Sequence, residues 1–385
     1  MPERRPHVLV AGVSARACAE SAARGGYRVT AVDAFGDLDL RAVADVVALR
    51  REAGAWFSPP AAAAATRRVA ADRVAYTSNF ENHPRAVAAL ARGRTLLGNP
   101  PLVLEQVRNP ITLNRALRAR GFVTPATRAS APVSGADGRR WLLKPRRSGG
   151  GHGTVPWRPG RRVPRGAYLQ ERIEGVPGSI VFAADGRRMV PLGVSRQLVG
   201  ERAFGAHGFR YCGSLLASNG APLFERQDEL LERAAALAVA VTEAFGLRGL
   251  NGVDFIARAG VPLPLEVNPR WSASMELVER ATGASLFRVH AAACAGRLPR
   301  APQRLARVHG KAIVFARRDI VVPGAPGWAR TRIADVPHPG ERIGRGHPIC
   351  TVLADVADGA RCRRALAAAA ALIYRATERR NRGAA

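Results

Sequence analysis

Residues 248–270 read R-G-L-N-G-V-D-F-I-A-R-A-G-V-P-L-P-L-E-V-N-P-R and gather Asp254, Glu266, Asn268 and Arg270 into one short stretch. Two carboxylates and an amide oxygen form a hard, oxygen-only donor set. Such a set suits magnesium, which keeps several waters and takes further ligands from nucleotide phosphates. Glu266 and Asn268 are two apart and so share one face of a strand. A turn at A-G-V-P folds G-V-D-F-I-A against P-L-E-V-N and brings Asp254 beside them on the neighbouring strand. Two residues further on, Arg270 can offer a planar fork to a phosphoryl or carboxylate oxygen. A hairpin with a solvated acidic face and a surface arginine fits the same letters, so the weight rests on what precedes it.

Upstream, W-L-L-K-P-R-R-S-G-G-G-H-G-T places Lys144 on a strand that runs into a glycine-rich loop. Glycines let the backbone approach a polyanion, and successive N–H groups can form an anion-binding nest. Lys144 adds a compact point charge in a chain with only one other lysine, Lys311. Neither the P-loop pattern nor the kinase V-A-I-K arrangement is present, and a glycine-rich surface hairpin is the plain alternative. Next, A-Y-L-Q-E-R-I-E-G-V-P-G-S-I-V-F reads as a strand, a kink at Gly175–Gly178 and a second strand. A hinge there could hold an adenine by backbone hydrogen bonds over Gln170–Ile173.

The elements that would position these groups follow from the apolar patterning. The run H-V-L-V-A-G-V, a helical stretch over Arg16–Gly25 and Y-R-V-T-A-V-D form a βαβ unit with a parallel sheet. Its turn lacks G-x-G-x-x-G, so Asp33 is as well explained by a strand-end cap as by a ribose contact. The loop T-S-N-F-E-N-H-P follows a short strand. It places Ser78, Asn79, Glu81 and Asn82 where parallel sheets bind ligands, or else forms a solvated turn before a helix near Pro84. A Gly/Pro boundary near residue 98 opens a second domain, and an Ala/Leu-rich helix over Glu225–Phe245 precedes the acidic hairpin. After Arg270, A-S-M-E-L-V-E-R-A-T-G reads as a helix stopped by Gly283. Short strands with Pro-Gly turns and an Ala-rich helix over Ala360–Thr377 close the chain. These readings divide it into 1–98, 99–300 and 301–385.

With 385 residues, of which 47% are hydrophobic, the chain is globular and of several domains. A net charge of +29 would ordinarily point to nucleic acid. The basic residues are spread as single Arg or Arg-Arg pairs, however, and aromatics are 6%, which leaves little for base stacking. The cysteines Cys18, Cys212, Cys294, Cys350 and Cys362 show no C-x-x-C pattern and fit a reducing, cytoplasmic setting. No apolar run reaches the roughly 18 residues of a membrane span.

Taken in order, Lys144 with S-G-G-G-H-G, then Q-E-R-I-E-G, V-D-F and L-E-V-N-P-R resemble the ATP-grasp superfamily of ligases, over roughly residues 1–355. The runs G-V-P-G-S and A-D-V-P-H-P-G are most similar to its carboligase-like branch, related to biotin carboxylase. The resemblance implies an ATP-grasp fold of mixed α/β and α+β class. It would have an N-terminal βαβ (pre-ATP-grasp) domain, two lobes clamping ATP and a small C-terminal β-rich domain. It further implies that Lys144, Ser148, Gly149, Gly150, Gly151 and Gly153 meet the nucleotide phosphates and that Gln170, Glu171 and Ile173 meet the adenine. Asp254, Glu266 and Asn268 would hold magnesium, with manganese as a substitute, and Arg270 with Lys144 would serve catalysis. Two departures stand out: L-N-R-A-L replaces a common first nucleotide-binding lysine, and Gly178-Ser179 stands where a ribose-binding acid is common.

The implied activity is ADP-forming activation of a carboxylate as an acylphosphate, followed by attack of an amine, with glutamate ligation in cofactor assembly as one example. Biotin-carboxylase-like carboxylation with bicarbonate is the alternative, and an Arg-rich nucleic-acid binder is the rival of another class. The expected partners are a small-molecule carboxylate and amine and a second copy of the chain in a homodimer, with no specific nucleic acid and no membrane.

Overall fold

A computed structural model describes residues 5–52, 56–131, 138–217, 221–301, 306–324 and 332–379. The N-terminal region is a five-stranded parallel sheet in the order β3-β2-β1-β4-β5. Its strands are β1 (His7–Ala11), β2 (Arg28–Asp33), β3 (Asp45–Ala48), β4 (Arg73–Tyr76) and β5 (Thr95–Leu97). Val8–Ala11 are fully buried, as expected of a parallel strand covered on both faces. Asp33 ends β2 and accepts the backbone N–H groups of Ala15, Phe35 and Gly36. It is therefore the strand-end cap.

A second, four-stranded sheet runs β6-β9-β7-β8. It is built from β6 (Thr127–Arg128), β7 (Trp141–Pro145), β8 (Val155–Pro156) and β9 (Ala167–Glu171). Lys144 lies on β7 and Gln170 on β9, and the glycine-rich segment joins β7 to β8.

The largest element is an eight-stranded antiparallel sheet, β14-β13-β10-β11-β12-β15-β19-β17. Its strands are β10 (Val176–Asp185), β11 (Met189–Val199), β12 (Tyr211–Leu216), β13 (Arg248–Arg258), β14 (Val261–Asn268), β15 (Val308–Phe315), β17 (Ile333–Ala334) and β19 (Pro348–Val356). A short pair, β16 (Ile320–Val321) with β18 (Arg342–Ile343), stands apart. The β-rich C-terminal segment is attached by continuing the central sheet, since β15 pairs with β12 and β19 with β15. The helix Gly359–Arg379 packs against β15 and β19.

The helix Gln227–Phe245 covers the other end of this sheet, and Leu230, Leu237 and Val241 join Phe182, Phe255 and Val267 in one core. Each fully buried side chain of this kind contributes roughly 1.5–3 kcal/mol. The apolar core, rather than the polar residues above it, therefore holds β13 and β14 in register. Among the described residues no helix is long and apolar enough to cross a membrane.

Candidate functional site

The acidic hairpin forms in the expected register: Asp254 faces Glu266 and Gly252 faces Asn268 across β13 and β14. Asn268 Nδ2 donates to Asp254 Oδ2 at 3.0 Å. Burial, and then repulsion by Glu266, push the Asp254 carboxyl up to about 6 against hydrogen bonds from Ser179, Gln197 and Asn268. Burial works in the same sense on Glu266, but Arg108, Lys144 and Arg270 outweigh it and hold that carboxyl below its ordinary range. Two facing carboxylates of which one is forced upward make a slot for a cation, and every donor in it is an oxygen. The residues thus fit magnesium. No three His, Cys, Asp or Glu side chains gather as metal ligands among the described residues, so such an ion would draw further ligands from water or phosphate.

A stability effect follows directly. The folded pKa of Asp254 lies above its unfolded value of about 3.9, so its ionised form costs stability at neutral pH, and that cost disappears as pH falls through 6 towards 4. In metal-free protein, Asp254→Asn is expected to raise the melting temperature at about pH 8 and to change it little at about pH 4. Melting curves at the two pH values check this, and equal shifts at both would contradict the repulsion between the carboxylates.

Arg108 joins the separate segments. Its Nη1 donates to Glu266 Oε2 at 3.1 Å and to the Val267 carbonyl at 2.8 Å. Its Nε reaches Asn82 Oδ1 at 3.1 Å, and its Nη2 the Ser148 carbonyl at 3.3 Å. One guanidinium therefore ties the acidic hairpin to the 77–83 loop and to the glycine-rich segment, which only its rigid multi-donor fork allows. Little in the sequence marks Arg108: it sits in V-R-N-P, just ahead of a helix, in a chain where 59 residues are Lys or Arg. The single local signal is Asn109-Pro110, which starts the next helix and fixes the residue before it.

Lys144 Nζ donates to Gln170 Oε1 at 2.9 Å, and Gln170 Nε2 to the Leu265 carbonyl at 3.2 Å. This chain carries the small sheet onto β14, next to Glu266. Glu171 turns elsewhere. Its carboxylate accepts the Ala126 N–H and lies 3.6 Å from Arg139, while its own N–H is bonded to the Ala126 carbonyl. Ile173 follows β9 and is half-buried. Of the residues expected around an adenine, only Gln170 is thus linked to the acidic hairpin.

The glycine-rich segment is docked. The Tyr211 N–H donates to the Gly150 carbonyl at 3.0 Å. Gly151 has φ +74°, and a Cβ there would lie 1.8 Å from the Phe209 carbonyl oxygen. No other residue permits that approach.

Arg270 is nearly buried. Its Nη2 donates to Glu81 Oε1 at 2.7 Å and to Asn268 Oδ1 at 3.1 Å, and its Nη1 to the Trp271 carbonyl at 2.9 Å. Glu81 and Asn82 of the N-terminal loop therefore belong to this site, whereas Ser78 and Asn79 reach it through that loop alone. Four buried polar atoms here have no partner: Glu81 Oε2, Arg270 Nε, Trp271 Nε1 and Ser272 Oγ. Such atoms cost about 1–3 kcal/mol each and concentrate where a ligand or water completes them.

Residues 107–274 match the family model of the ATP-grasp domain. An uncharacterized protein of Methanocaldococcus jannaschii is 30% identical over 114 residues, which is 30% of this chain and 28% of that protein. The matched stretch thus spans less than a third of this relative's length. In fold, the chain is similar to the biotin carboxylase domain of Hydrogenobacter thermophilus 2-oxoglutarate carboxylase, solved with MgADP, ADP and bicarbonate. The TM-score is 0.68 at 16% identity, covering 91% of this chain and 86% of that one. It is also similar to an L-amino acid ligase from Bacillus licheniformis, with a TM-score of 0.64 at 16% identity, covering 95% and 97%.

Proposed function

From the premise that residues 107–274 form an ATP-grasp domain, we propose that this chain is an ATP-dependent ligase that activates a carboxylate and joins it to an amine. A carboxylate oxygen attacks the γ-phosphorus of ATP and ADP leaves. The amine then attacks the acyl carbon, and phosphate and a proton depart. The observation that carries this reading is the convergence of Lys144, the docked glycine-rich segment and Arg270 on the Asp254–Glu266 pair, with Arg108 as the tie between them.

Positioning and charge neutralisation supply most of the rate in such a transfer. Lys144 would meet the phosphates, and Ser148, Gly149, Gly150, Gly151 and Gly153 would cover them and exclude water. Arg270, held by Glu81, would orient the carboxylate. Asp254, Glu266 and Asn268 would hold magnesium, which supplies positive charge to the phosphates when bound. Gln170 and the backbone of Glu171 and Ile173 would face the adenine. The L-amino acid ligase similarity supports the amine half of the reading, and the bicarbonate in the carboxylase structure makes bicarbonate one carboxylate to include in the test.

The test is ADP release from MgATP against an array of carboxylate and amine pairs, bicarbonate among them. A folded chain that binds MgATP and yields no ADP with any pair overturns the proposal. A nucleic-acid binder would instead show steeply salt-dependent affinity with no need of MgATP. Gly151→Ala is expected to weaken MgADP binding by about 10-fold, because the strained φ and the Phe209 carbonyl together undock the loop. Calorimetric titration checks this, and unchanged affinity would separate the loop from the nucleotide.

A further inference from the structure

Arg108 stands in the break between two helices. It caps the helix Pro101–Val107, its N–H donating to the Leu104 carbonyl at 3.0 Å, and Asn109 caps the helix Pro110–Arg118. The backbone is therefore fixed on both sides, while the long side chain makes its contacts at the guanidinium. A guanidinium has one N–H on Nε and two on each Nη. Those on Nε and Nη1 are used by Asn82, Glu266 and Val267. Nη2 makes only the 3.3 Å bond to the Ser148 carbonyl, at the head of the glycine-rich segment. One Nη2 N–H is thus left without a partner among the described residues, on the nitrogen that touches that segment, and the side chain is 10% exposed.

The same guanidinium closes the metal slot. Each donor side chain there is already engaged: Glu266 Oε2 accepts from Arg108 at 3.1 Å, Asp254 Oδ2 from Asn268 Nδ2 at 3.0 Å, and Asn268 Oδ1 from Arg270 Nη2 at 3.1 Å. Among the cations that hold the Glu266 carboxyl low, Arg108 acts most strongly, ahead of Lys144 and Arg270. A divalent ion entering alone has to displace a guanidinium and meets the field of these three cations, a repulsion that costs more in a nearly buried site than in water. An ion that arrives with a polyphosphate is spared most of this. The phosphates screen the cations, and a phosphoryl oxygen is a stronger partner for a guanidinium than a peptide carbonyl such as that of Ser148, because the bond is charge-assisted.

We propose that Arg108 is a phosphate-binding residue held in reserve on the metal site. In the empty chain its guanidinium is the counter-ion of Glu266. On nucleotide entry it passes to a terminal phosphate, with the Val267 carbonyl and Asn82 as its pivot, and leaves the carboxylate to the metal. The chain therefore takes up metal and nucleotide together and takes up metal alone poorly. This deepens the ATP-dependent reading above and rests on it. A residue that served only as a tie between segments would behave differently on removal, since both ligands would then weaken together.

The full chain is titrated calorimetrically at constant ionic strength and about pH 8, where both carboxylates are ionised. The ligands are manganese ion alone, ADP with a chelator present, and manganese at saturating ADP. In the native chain manganese alone is expected to bind more weakly than with ADP, by about 10-fold or more. In Arg108→Met the two single ligands should move in opposite directions: manganese alone about 10-fold tighter, metal-free ADP about 10-fold weaker. Arg108→Lys, which keeps the charge without the fork, should retain part of the ADP affinity. Melting curves confirm the fold, and Arg108→Gln takes the place of Arg108→Met if that variant does not fold. A native chain that holds manganese alone as tightly as with ADP overturns the proposal without any variant. So does a charge-free variant that loses ADP affinity with no gain for manganese, or gains manganese with ADP affinity unchanged. The expected opposite shifts in a chain that releases ADP with no substrate pair overturn the ligase reading alone. ADP release by a chain whose charge-free variant gains no manganese affinity overturns the Arg108 assignment alone.

Discussion

Glu266→Gln is expected to lower ADP release by about 10²-fold or more at saturating magnesium, with the fold intact. Glutamine keeps the side-chain volume and one acceptor oxygen but removes the charge that faces Asp254 across β13 and β14. It also takes from Arg108 its carboxylate partner at 3.1 Å. The guanidinium keeps the Val267, Asn82 and Ser148 contacts, so the cleft stays assembled and the loss falls on the bound phosphates and metal. The melting temperature of the metal-free protein at neutral pH should fall, because the ionised Glu266, held below its ordinary range by Arg108, Lys144 and Arg270, contributes stability that glutamine removes, offset in part by relief of its repulsion with Asp254. ADP release against magnesium concentration, measured beside melting curves, separates the two effects. Near-normal turnover at low magnesium would mean that this hairpin is not the metal site.

How much of this was readable from sequence depended on whether the chemistry lay along one strand pair or between distant segments. Asp254, Glu266 and Asn268 could be placed because strand periodicity and an Ala-Gly turn leave one register that buries Val253, Phe255 and Val267. The βαβ start and the helices after Arg226 and Ser272 followed from apolar spacing and Gly stops. Arg108 and the Glu81–Arg270 pair could not be found this way. Their partners lie 158 and 189 residues away, and an arginine in so Arg-rich a chain carries no mark of its own. Glu171 fits an adenine contact by position, and its carboxylate contacts with the Ala126 N–H and Arg139 lie across the small sheet, where strand alternation does not reveal them. Glu276 read only as part of the helix A-S-M-E-L-V-E-R-A-T-G. The fold places it in a buried ion network whose members come from opposite ends of the chain.

That network sets the largest stability effect. Arg16, only 2% exposed, holds Glu276 through two nitrogens, Glu20 at 3.0 Å and Asp335 at 2.8 Å, while Lys311 also pairs with Glu276. Burial alone would raise the Glu276 carboxyl, but Arg16 and Lys311 win and hold it far below its ordinary range. Arg16→Met preserves the aliphatic stem and deletes the charge, leaving Glu276 and Asp335 buried without their main counter-ion. Breaking one side of such a pair costs about 3–5 kcal/mol, and the melting temperature at neutral pH should fall by roughly 5–10 °C. The sign of the pH dependence follows. A depressed folded pKa gives the native chain stability that is present above the unfolded carboxylate value of about 4.3 and is lost as pH falls below it. The variant lacks that contribution, so the gap between the two chains should narrow on acidification to about pH 4. Adding Glu276→Gln to Arg16→Met should recover part of the loss, because the orphaned charge is then gone. If Arg16→Met melts with the native chain at neutral pH, the network does not bind the N-terminal sheet to the helix Ala273–Thr282 and the Asp335 turn.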